Sequence, residues 1–171
     1  MLIPVLKYSF QWLILILLQG LVFNNIYVFG GYGIPLIYIF ILLKLPFETP
    51  KWFIYIIAFF TGLSIDAFTN TSGMHASACV TLALARVYLV KLLTPRDGYE
   101  SGTHPSVQAL GLNWWISYSS LLIFVHHFWL FSIEVFRFQA FGQVLLRTIA
   151  STLVTFVLLL LAQYTIGNRK K

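Results

Sequence analysis

The residues with chemistry to offer are few, and most of them sit inside long apolar runs. Asp66, Arg147, His126 and His127 are the clearest cases, with Glu134 and Arg86 close to run ends. A charged side chain in an apolar run is costly unless it faces protein, pairs, or marks a functional path. Asp66 lies fourteen residues after Trp52, about 21 Å along a helix at 1.5 Å per residue. In an apolar layer about 30 Å thick that places it about 9 Å below one surface. Arg147 lies six residues after Phe141, also about 9 Å in from that surface. His126 and His127 fall at a similar depth. An acid and a base at one depth predict an Asp66–Arg147 ion pair. Arg86 stands about 10 Å from the other end of its run and reads as a side chain that snorkels to the interface.

None of these groups makes a recognisable catalytic or metal constellation. Ser64, in Gly62-Leu63-Ser64-Ile65-Asp66, does not form a G-x-S-x-G nucleophile elbow. His126 and His127 are adjacent, so on a helix they point about 100° apart and do not chelate one ion together. His75 and Cys79 share a face at i, i+4, but two ligands leave a zinc site incomplete. No phosphate loop or dinucleotide fingerprint is present. The expectation is therefore no catalytic residues, no metal, no cofactor and no enzyme activity.

The elements that must position these groups follow from composition. Of 171 residues, 59% are apolar and only 9% are charged. A soluble domain carries about 25% charged residues, so this chain cannot solvate a globular surface. Runs such as Leu13–Leu18 and Leu153–Leu161 lack the period-2 alternation of a membrane barrel. The expectation is an all-α membrane protein, a single polytopic domain of six transmembrane helices. The spans are 10–28, 34–45, 52–68, 73–93, 113–133 and 141–166. The second is short and is framed by the Gly30-Gly31-Tyr32-Gly33 stretch and by Pro46 and Pro50. The longest connection, 94–112, carries Pro95, Asp97-Gly98 and Pro105 as turn signals. No small-residue cleavage site follows the first run, which is expected to stay as a span. The single cysteine excludes an internal disulfide framework.

The net charge of +6 is distributed between apolar runs, which argues for membrane orientation and against nucleic acid. With six spans, one side collects Lys7, Lys44, Lys51, Lys91, Arg96, Arg169, Lys170 and Lys171, and the other only Arg137. The basic side is expected to be cytoplasmic, with both termini there. Several spans also carry lines of small or polar residues. Span four has Gly73, Ser77, Thr81 and Ala85 at intervals of four, and span three has Ala58, Gly62, Asp66 and Asn70. Such lines let helix backbones approach closely. They read first as helix packing with interior hydrogen bonds, and second as the lining of a ligand or proton path. The lateral face of spans three and four is expected to meet another membrane helix.

The segment Gly62-Leu63-Ser64-Ile65-Asp66-Ala67-Phe68, then Ser72-Gly73-Met74-His75-Ala76 and later Arg86, resembles the bacterial rod shape-determining protein MreD family. That family carries a G-L-x-x-D helix end, a short turn, and G-x-x-A opening the next helix. Pro95-Arg96-Asp97-Gly98-Tyr99-Glu100 with Pro105-Ser106, then His126-His127 and Glu134, look like its Bacteroidota-type branch. Asn70-Thr71-Ser72 is more polar than the turn of that motif. The resemblance implies a non-enzymatic part of the cell-elongation machinery in the inner (cytoplasmic) membrane. The implied partner is the membrane helix of MreC, with MreB filaments and peptidoglycan synthases reached indirectly. It also implies a bundle similar to the substrate-binding subunits of energy-coupling-factor transporters. The alternative reading is therefore a small-molecule, vitamin-type binding subunit of a membrane transporter.

Overall fold

In the computed structural model the described residues are 2–100, 102–136 and 141–167, with side chains described from Ser9 to Thr165 outside the gaps. The side chain of Lys7 and all of Arg137, Arg169, Lys170 and Lys171, used above for orientation, lie outside them. Among the described residues the protein is all-helical with no strands. The helices are α1 (Leu2–Leu21), α2 (Phe40–Leu43), α3 (Lys51–Thr69), α4 (Met74–Leu92), α5 (Val107–Leu110), α6 (Leu112–Val135) and α7 (Phe141–Gly167). Four of them, α3, α4, α6 and α7, are long and apolar enough to cross a membrane. Each lies within two residues of the span expected from the sequence.

The first two expected spans are different. The first helix starts at Leu2 and stops at Leu21, seven residues before Val28. A 3-10 turn at Phe23–Asn25 and a tight reversal joined by a Val28–Gly33 bridge follow it. The second expected span is not one helix. It enters as extended chain, makes a 3-10 turn at Ile37–Ile39, and becomes α-helical only over Phe40–Leu43. Its prolines explain this. Pro35 has no N–H and pushes Ile34 toward extended backbone, while Pro46 closes the far end. The connection after α4 also contains a helix not foreseen, α5, capped by the Ser106 hydroxyl on the Ala109 N–H.

Packing puts this irregular segment in the middle. Helices α1, α3, α4, α6 and α7 contact one another in that order. Leu36, Tyr38, Ile39, Leu42 and Leu43 are almost completely buried among them. Ile34, Leu36 and Lys44 meet Ser151, Thr155 and Gln163 of α7 in that order. The segment thus runs parallel to α7 along the Ser151–Gln163 stretch, about 18 Å. The outward faces carry exposed Leu, Ile, Phe and Trp, such as Leu13 and Leu17 on α1 and Phe59 and Phe60 on α3. Apolar both inside and out is the pattern of a bundle with lipid as solvent.

Connections alternate between the two ends of the bundle. Asn24, Tyr27, Thr69, Thr71, Met74, Glu134 and Arg147 gather around one cavity at the first end. At the second end Phe47 stacks on Tyr99 at 3.9 Å and meets Trp114 edge-on. The Gly102 N–H donates to Glu48 there, and Gln108 donates to the Gln163 carbonyl. Partial burial in this stack raises the Tyr99 hydroxyl pKa above its ordinary value.

Candidate functional site

The interior polar groups form three connected sets, and each is organised around backbone that the irregular central segment or a helix end leaves unpaired. The first set is on the entry side. The Ser151 hydroxyl accepts from Ile34 N–H at 3.0 Å and donates to the Tyr32 carbonyl at 3.2 Å. The Thr155 hydroxyl accepts from Leu36 N–H at 3.0 Å. Gln19 of α1 accepts from Ile37 N–H at 2.7 Å and donates to the Pro35 carbonyl at 3.1 Å. Non-helical backbone at membrane depth is tolerated only where protein supplies such partners, because each orphaned group costs several kcal/mol. The Ser151–Thr155 line is therefore a substitute hydrogen-bond ladder for a segment that cannot be helical.

The second set closes the far end of that segment. The Tyr118 hydroxyl donates to the Leu43 carbonyl at 3.0 Å, in the last turn of α2. Arg86 Nε donates to the Tyr118 oxygen at 2.9 Å, and its Nη2 donates to the Leu45 and Pro46 carbonyls. Arg86 is 2% exposed, so it does not snorkel. It reaches inward because the unpaired carbonyls of a helix end attract a cation.

The third set joins α3 to α4. The Asp66 carboxylate accepts from His75 N–H at 3.0 Å, Ala76 N–H at 2.9 Å and the Thr71 hydroxyl. These amides are the second and third of α4, whose cap residue Gly73 has no side chain to satisfy them. Gly62, one turn before Asp66, explains how the carboxylate gets there. A Cβ at Gly62 would lie 2.4 Å from the Ala76 Cα and the His75 carbonyl oxygen. The glycine lets α3 touch the first turn of α4, and the aspartate then caps it. The expected Asp66–Arg147 pair is absent. Arg147 instead binds Glu134 at 2.9 Å and lies over the Phe131 ring at 4.4 Å. Arg147 lines a cavity that Thr71 and His75, both bonded to Asp66, also line, but the carboxylate itself is taken by the amides of α4.

The histidines separate as their angular offset requires. His127 donates from Nδ1 to the Ile123 carbonyl at 2.7 Å, so its Nε2 accepts from the Thr155 hydroxyl at 3.2 Å. His126 points the other way, to Tyr38. The Tyr38 hydroxyl lies 2.9 Å from His126 Nε2 and 2.9 Å from His75 Nδ1. One hydroxyl has one proton, so one of these rings donates and the other accepts. Cys79 Sγ stands 3.9 Å from His126 Nε2. The described residues contain no group of three or more His, Cys, Asp or Glu arranged to hold a metal.

Gln19, Tyr38 and Tyr118 were not singled out in the sequence. An amide in the middle of the first apolar run and a tyrosine three residues after Pro35 were the available signals. The line Gly73, Ser77, Thr81 and Ala85 is half-buried. Ser77 donates to the Met74 carbonyl and Thr81 to the Ser77 carbonyl. The α3–α4 contact uses Gly62, His75 and Ala76, which leaves this line on the flank. No family model, curated protein or solved structure matches the chain.

Proposed function

We propose that this is a non-enzymatic, multi-pass membrane protein that works by binding another membrane helix along the flank of α4. The observation that carries the reading is the internal use of the polar residues. Ser151, Thr155, Gln19, Arg86, Tyr118 and Asp66 all serve the protein's own backbone, which leaves a scaffold rather than a reaction centre. The small-residue flank is half-open and its hydroxyls are turned back onto their own helix. A partner helix can approach closely there without stranding a polar group.

The resemblance to the MreD family supplies the partner and the process. The proposed partner is the single membrane helix of MreC, and the proposed process is organisation of peptidoglycan synthesis during cell elongation in the inner membrane. Six crossings complete the proposal, with α1 and the central segment 34–45 as the first two. Such a bundle is similar to the vitamin-binding subunits of energy-coupling-factor transporters. Their activity is the second reading, and two cavities of about 300 and 190 Å³ at one end of the bundle favour it. Small-molecule pockets run about 300–1,000 Å³ and bury most of their ligand, which ranks this reading second.

Affinity capture of the tagged protein from native membranes tests both. Recovery of a single-span, coiled-coil protein with wall synthases supports the first, and recovery of an ATPase module with bound vitamin replaces it with the second. Ser77→Leu or Thr81→Leu is expected to reduce partner recovery while the protein stays in the membrane. Topology is tested by labelling intact spheroplasts with an impermeant thiol reagent, since native Cys79 is buried. Cysteines at Gly31, Thr71 and Gln139 are expected to react and those at Glu48, Gly102 and Lys170 to stay unlabelled. Labelling at Glu48 rejects six crossings.

A further inference from the structure

We propose that the Arg147–Glu134 pair is a binding site for a zwitterionic headgroup, one phosphate and one primary ammonium joined by a short link. This goes beyond partner binding and uses a different face of the protein. The pair is set apart from the other interior polar groups. Its two side chains are 25% and 40% exposed and meet at 2.9 Å. Arg147 forms a wall of both cavities at this end, one of about 300 Å³ with Gly30, Gly31 and Gln143, the other of about 190 Å³ with Thr71 and His75.

Three features point to a ligand. Phe131 supports the guanidinium plane from one side, which fixes its orientation. The Glu134 contact is made through Nη1, and 25% of the Arg147 side chain stays exposed beside the cavities; a guanidinium with accessible N–H groups is suited to a phosphate. His75 is 8% exposed and lines the smaller cavity, and its Nδ1 is taken by Tyr38 while Nε2 has no partner among the described residues. This places a second polar group on the cavity wall.

Charge decides which headgroup. Asp66 is committed to the first turn of α4, so the pair itself is neutral. An anion would gain Arg147 and meet Glu134 at close range. A zwitterion lays its phosphate on Arg147 and its ammonium on Glu134, two favourable contacts for one weak, partly exposed ion pair. A primary ammonium also donates hydrogen bonds to the carboxylate, which a quaternary one cannot do. Two sources carry this chemistry, an aminophospholipid and the free phosphorylated amino alcohol. The lipid is favoured by the surface beside the site. Leu146, Ile149 and Leu153 are 52%, 45% and 56% exposed and form one apolar face of α7 leading away from Arg147, where acyl chains lie naturally.

The test is native mass spectrometry of the full-length protein in detergent with phosphatidylethanolamine, phosphatidylcholine or phosphatidylglycerol added. Phosphatidylethanolamine is expected to be retained about tenfold better than the other two, a difference of one decade in affinity. Glu134→Gln should remove the preference over phosphatidylglycerol, and Arg147→Met should remove retention of all three. Arg147→Lys keeps the charge and guards against loss of fold; it should retain phosphatidylethanolamine partially. Displacement of the lipid by equimolar O-phosphoethanolamine would assign the site to the free compound. Equal retention of the three lipids, or a preference unchanged in Glu134→Gln, overturns the proposal. Ser77→Leu should not alter lipid retention, so failure of the partner reading is distinguishable from failure of this one.

Discussion

Gln19→Leu removes the side chain that braces the entry of the central segment and replaces it with an apolar one of similar volume. Gln19 is completely buried, and its amide satisfies the Ile37 N–H at 2.7 Å and the Pro35 carbonyl at 3.1 Å. Neither group has a helical alternative, because residues 34–36 are not helical. Each orphaned buried group costs about 1–3 kcal/mol, so the two together cost about 2–6 kcal/mol. Folded proteins hold a margin of about 5–15 kcal/mol, so this one change removes a large share. The assay is reversible unfolding in mixed micelles by titration with a denaturing detergent, followed by tryptophan fluorescence. The midpoint should fall well below that of the parent. Gln19→Glu is the informative companion: neutral at acidic pH, its carboxyl accepts from Ile37 N–H and donates its one O–H to Pro35, so there it should lie between the two. Ser64→Ala is the control, since Ser64 only back-bonds to the Phe60 carbonyl of its own helix. If Gln19→Leu unfolds with the Ser64→Ala midpoint, the central segment does not depend on side-chain bracing and the account of the polar interior is wrong.

Three further outcomes follow from the same geometry. Tyr118→Phe should destabilise by about 2–6 kcal/mol, read in the same titration, because it orphans the Leu43 carbonyl and Arg86 Nε together. Gly62→Ala should cost about 1–3 kcal/mol through overpacking and lower accumulation in the membrane, since its Cβ meets α4 backbone at 2.4 Å. Asp66→Asn should cost about 1.5–3 kcal/mol, because the two carboxylate oxygens each accept from a different helix N–H and the asparagine NH2 would face one of them, donor against donor. Adding Arg147→Gln to it should restore nothing, whereas partial recovery would reinstate the Asp66–Arg147 pair.

The sequence by itself determined the class of solvent this protein meets. Long apolar runs with 9% charge are compatible with a multi-pass membrane protein, and four of the expected spans became helices long and apolar enough to cross a membrane, with nearly the same limits. That legibility has a local cause: a run of about 20 apolar residues satisfies its own backbone in only one way, as a helix. The special places were also legible as residue types. Asp66, Arg86, His126 and His127 are buried and bonded, and Gly62 sits at a close approach.

Partners were decided by tertiary structure. Depth along a helix is a one-dimensional measure, and it matched Asp66 with Arg147 while ignoring which face each presents and which competitors are nearer. The competitor was the α4 N-terminus, whose free amides a linear reading of charges does not count. The second run shows the same limit. The expected helix over 34–45 passed over Pro35, which breaks it near its start, and nothing along the sequence said that the segment would occupy the centre of the bundle. Only packing revealed that Gln19, Ser151, Thr155, Tyr118 and Arg86, scattered over four helices, converge on its unpaired backbone. A polar residue in an apolar run declares that a hydrogen bond exists somewhere. Its partner is another part of the chain brought there by the fold, and no spacing along the sequence encodes that meeting.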